Sequence, residues 1–169
     1  MRRWNGWGDD TQGYPLPEGA AHFLKEVAGA GQPPQDAALE DVLARVPASR
    51  LPAHALVQTV AETRLLHARG QSLPDWVALR SGQIAAFPDG VAFPTSGDDV
   101  RRLIQYAQEA GARLIPYGGG TSVVGHINPL PGDAPVLTLS LARMNRLENI
   151  DTASGLARFG AGVNGPDLE

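Results

Sequence analysis

Up to about Arg80 the apolar positions recur at three- and four-residue steps: Phe23, Leu24 and Val27, then Leu39, Val42 and Leu43, then Leu56, Val57, Val60, Ala61 and Leu65. With 3.6 residues per turn such positions share one face, so the spacing predicts amphipathic helices. Pro33-Pro34, Pro47 and Pro52 separate them. Gly70 stands just past a helix predicted to end near His67 to Arg69, where a residue tolerant of positive φ is favoured. After Phe87-Pro88-Asp89-Gly90, a strong turn signal, the pattern changes to short β-like runs around one well-marked helix.

That second stretch opens with Val91-Ala92-Phe93. Ser96-Gly97-Asp98-Asp99 then fits the S-x-x-D/E capping pattern with Ser96 as N-cap. The helix it starts is predicted to bury Val100, Leu103, Ile104, Ala107 and Ala110, to pair Asp98 with Arg102 at i,i+4, and to stop at Gly111. Leu114-Ile115-Pro116 and the alternating run Val136 to Leu141 give two more strands, so strand, capped helix and strand read as a βαβ unit with parallel pairing. Leu147 to Ile150 and Leu156 to Phe159 flank the turn formers from Asp151 to Gly155, which predicts a hairpin and the start of a second sheet. Pro166 and Asp167 announce a helix just where the sequence stops, and a truncated chain is expected. The fold class is therefore α/β, α+β as a whole: a helical region over 1–86, then over 87–169 a small parallel βαβ subdomain and the start of an antiparallel sheet.

Composition narrows the chemistry. At 169 residues the chain is about one domain. Fourteen basic against eighteen acidic side chains give a net charge of −4 with no Lys/Arg block, which argues against a nucleic-acid partner. Cysteine is absent, so disulfides, thiolate metal sites, iron–sulfur clusters and a cysteine nucleophile are excluded. No apolar run approaches the roughly 20 residues that span a bilayer, and the amino terminus runs into Gly and acid instead of a signal-like apolar stretch. A soluble, cytoplasmic protein without a membrane partner is expected. His22, His54, His67 and His126 pair at no metal-ligand spacing, so no metal site is expected. His126 is read as a surface or packing histidine, Trp4 and Trp7 as a packed tail, and the pairs Arg2-Arg3, Arg101-Arg102 and Asp98-Asp99 as solvated faces.

The chemistry concentrates in Pro116-Tyr117-Gly118-Gly119-Gly120-Thr121-Ser122-Val123-Val124-Gly125. Three adjacent glycines after a buried strand let backbone approach a ligand without Cβ obstruction. Successive amides in such a loop form a concave anion site, and the Thr121 and Ser122 hydroxyls add donors. The alternative is a flexible connection with no ligand. A G-x-G-x-x-G match from Gly118 fails at Val123; a P-loop match from Gly120 reaches Gly125 but has His126-Ile127 where Lys-Ser/Thr is required; G-x-S-x-G fails at Val124. Ser122 is thus read as a phosphate donor and not as a nucleophile.

The Pro116 to Gly125 segment resembles the pyrophosphate loop of the FAD-binding domain of the vanillyl-alcohol oxidase and p-cresol methylhydroxylase (PCMH) type. Pro88 to Pro94 with Asp98-Asp99-Val100, and Asp151 through Ala161-Gly162-Val163, are similar to that domain's opening elements and following hairpin. Arg3-Trp4-Asn5-Gly6-Trp7-Gly8 and His67-Ala68-Arg69-Gly70 resemble segments of the alkyldihydroxyacetonephosphate synthase group and its bacterial FAD-linked oxidase relatives. The resemblance implies FAD stretched between two subdomains, with Tyr117, Gly118, Gly119, Gly120, Thr121, Ser122 and Val123 around its pyrophosphate. It implies a flavin-dependent oxidoreductase acting on a small-molecule substrate, a 2-hydroxy acid or related alcohol. The alternatives are an alkylglycerone-phosphate-synthase-like transferase, or a non-catalytic FAD-binding subunit needing a second chain. Gly120 and Thr121 stand where some relatives carry a flavin-tethering histidine, so non-covalent FAD is expected. The family's catalytic groups come from later regions, so no catalytic residue is assigned here, and self-association or a complementing chain is expected.

Overall fold

The computed structural model describes residues 3–32 and 35–168. The Pro33-Pro34 break and Arg2 lie outside them. The predicted helices form as α1 (Glu18–Ala28) and α2 (Leu39–Leu43), although α1 buries none of its residues and its apolar face of Phe23, Leu24 and Val27 stays exposed.

The periodic run from Leu56 to Leu65 is not one helix. The His54 carbonyl accepts from the Val57 amide at 3.0 Å and His54 Nδ1 from the Leu56 amide at 3.1 Å, and this turn delivers β1 (Val57–Gln58) to the sheet. Helix α3 begins only at Ala61 (Ala61–Leu66). A free strand edge offers this segment backbone partners that outweigh a weak helical period.

Helix α4 (Leu73–Ser81) is closed at both ends. A reciprocal Ser72/Asp75 capping box opens it, and Gly82 at φ 68° ends it in the left-handed region. Gly70 does not have positive φ. Its place is fixed by close approach: a Cβ there would run into the Ser122 carbonyl.

The main sheet takes β1, β2 (Gly90–Ala92), β3 (Arg113–Tyr117) and β4 (Val136–Ser140) in the order β1-β2-β4-β3. Strand β1 is antiparallel to β2; the other pairs are parallel. The parallel expectation holds, but β2 and β3 are not neighbours. Strand β4 lies between them, Thr138 facing both Val91 and Ile115. All five β4 residues are buried, including Thr138 and Ser140, so their alternation with Val and Leu marks a central strand covered on both faces and not a solvent face.

Between β2 and β3 runs α5 (Gly97–Glu109), capped as predicted by Ser96 Oγ, which accepts from the Asp99 amide at 3.1 Å. Asp99 is not solvated. It is buried and accepts from the Thr95 amide (3.0 Å), the Thr95 hydroxyl (2.9 Å) and Arg102 (3.1 Å), and these bonds, led by the Thr95 amide, hold its carboxyl below the ordinary range. The ion pairs are i,i+3, Asp98 with Arg101 and Asp99 with Arg102, in place of the predicted Asp98–Arg102. Tyr106 takes the buried position expected of Ile104, and Gly111 ends the element at φ 60°.

Leu103, Tyr106 and Ala107 of α5 pack with Leu51, Ala92, Leu137 and Leu139. A second cluster of Val42, Leu65 and Leu79 collects Trp4, Ile84 and Phe87 from the chain around it. Trp4 is therefore packed as expected, whereas Trp7 is exposed. The expected hairpin is β5 (Leu147–Asp151) with β6 (Leu156–Phe159), a separate two-stranded antiparallel sheet, and residues Gly165–Asp167 make one 3-10 turn. The fold is thus a helical amino-terminal region, a small parallel α/β unit and a two-stranded antiparallel ribbon. Among the described residues no helix is long and apolar enough to cross a membrane.

Candidate cofactor site

The glycine loop leaves the carboxyl end of β3 and returns to β4, so it sits where open α/β sheets receive ligands, outside the strand ends. Tyr117 anchors it. The ring is buried, its hydroxyl donates to the Leu66 carbonyl at 3.2 Å, and its centroid lies 4.6 Å from that of the tilted His67 ring. A ligand at the loop can therefore meet the backbone of Tyr117 but not its hydroxyl. Gly120 is buried with φ 73°, and a Cβ there would collide with the Tyr117 hydroxyl. Gly118 and Gly119 are exposed; a Cβ on Gly118 would meet nothing within 4 Å, and one on Gly119 would make ordinary contacts with Asn164 Oδ1 at 3.5 Å and Thr121 Cγ2 at 3.7 Å.

Thr121 and Val123 are exposed and Ser122 is half-buried. The Ser122 carbonyl accepts from the Gln71 amide at 2.6 Å, and its hydroxyl lies 3.2 Å from His126 Nδ1. With the proton on Nδ1, the imidazole donates to Ser122 Oγ and leaves the hydroxyl hydrogen free for an acceptor in the loop. His126 is exposed, as a surface histidine should be, but it touches a site residue, which its position in the sequence did not reveal.

The amides of residues 119–125 donate to no acceptor among the described residues. The loop carries no Lys or Arg. A row of unspent amides, two hydroxyls and open space over Gly118 is a donor set without formal charge. Its chemistry fits a phosphate oxygen cluster, whose affinity for backbone amides needs no cation.

A support behind the loop was not foreseen. Asn128 Oδ1 accepts from the Gly70 amide at 2.9 Å, and Asn128 Nδ2 donates to Asp75 Oδ1 at 2.6 Å. Asp75 Oδ2 meanwhile accepts from the Ser72 amide and hydroxyl. The S-x-x-D pattern at Ser72 to Asp75 is a capping signal equal to the one at Ser96, and it could have marked this helix start. Arg69 beside it is half-buried, and burial pushes its guanidinium below the ordinary value, opposed by nearby Asp75.

Residues 88–169 match the family model described as FAD binding domain. The chain belongs to the PCMH-type FAD-binding family, and FAD is the cofactor of that family. It is 38% identical over 111 residues to the alkyldihydroxyacetonephosphate synthase of Trypanosoma brucei brucei, a match over 64% of this chain and 18% of the relative. It is 30% identical over 89 residues to the D-2-hydroxyglutarate–pyruvate transhydrogenase of Saccharomyces cerevisiae, over 53% of this chain and 16% of the relative. Protein Rv2250A of Mycobacterium tuberculosis is 31% identical over 107 residues, 54% of this chain and 68% of that protein. A solved alkyldihydroxyacetonephosphate synthase structure superposes with TM-score 0.78 over 99% of this chain and 37% of its own, at 24% identity, and so shares the fold. The chain thus spans under a fifth of the length of that synthase and of the transhydrogenase it matches.

Proposed function

We propose that the loop formed by Tyr117, Gly118, Gly119, Gly120, Thr121, Ser122 and Val123 receives the pyrophosphate of FAD, without a covalent tether, in a flavin-dependent oxidoreductase acting on a 2-hydroxy acid or related alcohol. The observation that carries the reading is the run of amides over 119–125 with no acceptor among the described residues, at the strand end of a parallel sheet. Bound FAD supplies the hydride-accepting chemistry. The chain's own residues supply the anion cradle and its rigid backing; none is assigned a catalytic role, and the substrate-facing groups are proposed to lie outside these 169 residues.

A second reading, transfer of an alkyl group, is favoured by the relative named for alkyldihydroxyacetonephosphate synthesis, which matches at higher identity than the transhydrogenase. Flavin content and visible spectrum of the purified protein, before and after acid precipitation, test the shared part. Yellow protein that releases FAD into the supernatant is the expected result; protein that neither carries nor binds FAD overturns the reading. Bleaching of the flavin by a 2-hydroxy acid under nitrogen would then favour oxidation over alkyl transfer.

A further inference from the structure

We infer that the Asp75–Asn128 pair, closed against Gly70, is a positioning strut that sets the glycine loop for FAD; this rests on the reading of the loop just given. The cap of α4 needs only one oxygen of Asp75, and Oδ2 serves both Ser72 donors. The other oxygen is turned to Asn128, 53 residues along the chain, from a side chain only 4% exposed.

Asn128 is held in one orientation. The Gly70 amide requires an acceptor and the Asp75 carboxylate a donor, so Oδ1 and Nδ2 cannot exchange places. Its own amide donates to the Gly125 carbonyl at 3.0 Å, closing the turn that ends the exposed stretch. At the other side, the Gln71 amide grips the Ser122 carbonyl, which approaches so closely that only glycine fits at position 70. The loop is thus tied at Ser122 and, through Asn128, at Gly125, both times to the α3–α4 connection, with the amides of Gly119 to Thr121 before the first tie and those of Val123 and Val124 between the two.

Glycine-rich backbone loses the most freedom when it orders around a ligand. Ties made before the ligand arrives remove that cost from binding. None of Gly70, Asp75 and Asn128 need touch FAD; they act through the loop.

The test is an FAD titration of the whole chain, followed by flavin fluorescence, with thermal unfolding of the apo protein measured alongside. Asn128→Asp sets two carboxylates face to face, Asp75→Asn sets two amides against each other, and the double exchange restores one acceptor and one donor at the same net charge. Each single exchange is expected to weaken FAD binding about tenfold, as loss of a half-buried charge-assisted bond would. The double exchange is expected to return it to within about threefold of the parent, the mark of a coupled pair. Tyr106→Phe, which removes a 2.6 Å bond to the Pro52 carbonyl away from the loop, is expected to lower the unfolding temperature and leave FAD affinity unchanged.

Single exchanges that bind FAD within about twofold of the parent would overturn the strut while leaving the FAD reading intact. So would a double exchange no better than the weaker single one, or a Tyr106→Phe variant that loses FAD in proportion to its stability. A parent chain that does not bind FAD would overturn the loop assignment beneath it.

Discussion

Gly119 and Gly120 are neighbours under opposite constraints. At Gly120 the backbone is at φ 73° and an added Cβ meets the Tyr117 hydroxyl, so Gly120→Val forces the loop off its anchor. A cost of about 1–3 kcal/mol in stability, with loss of FAD binding, is expected. At Gly119 the nearest atom to a Cβ is Asn164 Oδ1 at 3.5 Å, an ordinary contact. Gly119→Ala should therefore unfold like the parent, within about 0.5 kcal/mol, and weaken FAD because its Cβ enters the space proposed for phosphate. Thermal unfolding with and without FAD separates the two. An unfolding temperature for Gly120→Val equal to the parent's would remove the anchoring role given to Tyr117.

Asp89 makes the acid limb of stability a residue-level question too. Burial pushes its carboxyl up, but the paired bonds from Arg50 (2.8 Å each), with the amides of Val136 (2.8 Å) and Arg50 (3.1 Å), outweigh burial and hold it below the usual value. A carboxyl depressed in the folded state contributes stability that is complete above its unfolded pKa, about 3.9. That stability is lost as pH falls through the lower folded value. Asp89→Asn should destabilise by about 2–4 kcal/mol at neutral pH. It should also flatten the decline in unfolding free energy from about pH 5 to pH 3, where urea titrations would reveal it. A decline as steep as the parent's would place the acid sensitivity elsewhere.

Among the elements, legibility followed the range of the determining contacts. Helix α5 was readable because its cap, period and glycine stop all lie within sixteen residues, Ser96 to Gly111. The glycine loop was readable for the same local reason, and so was the hairpin. Strand β1 was not, since Val57 and Gln58 become a strand only through Ala92 and Val91. Nor was the strand order, because insertion of β4 between β2 and β3 leaves no trace in local spacing. Gly70 was picked out for the wrong reason: a helix end explains many glycines, while the Ser122 carbonyl that explains this one is distant in sequence. The foot of the hairpin has the same character. The Gly160 and Gly162 amides donate to the carbonyls of Arg146 (2.8 Å) and Met144 (3.0 Å), and a Cβ at 162 would run into the Leu141 carbonyl. Gly162→Ala should pry the ribbon loose, so limited proteolysis should cut within 147–159 faster while amide exchange in β4 stays slow. Unchanged cleavage would show that the ribbon is held by other contacts.

For the molecule as a whole, the main sheet has a covered central strand and the ribbon has none. Strand β4 is buried along its length, but every residue of β5 and β6 is exposed, including Leu147, Ile150, Leu156 and Phe159. Both strands are edges, and an isolated two-stranded ribbon is marginal in water. Leu147 faces Phe159 across the ribbon, so one of its faces carries adjoining apolar side chains beside unpaired backbone. The exposed face of α1, with Phe23 and Val27, adds a second apolar patch at a distance in sequence. Self-association through the ribbon is the expected behaviour of these 169 residues on their own, since a second ribbon supplies both edge pairing and an apolar cover. Sedimentation velocity should show mass rising with concentration, and Leu156→Lys, at a side chain 68% exposed, should shift the chain toward monomer without lowering its unfolding temperature. Phe23→Ser in α1 should not. A monomer at every concentration would mean that the ribbon's apolar face is tolerated in water, and a response to Phe23→Ser alone would move the contact to α1.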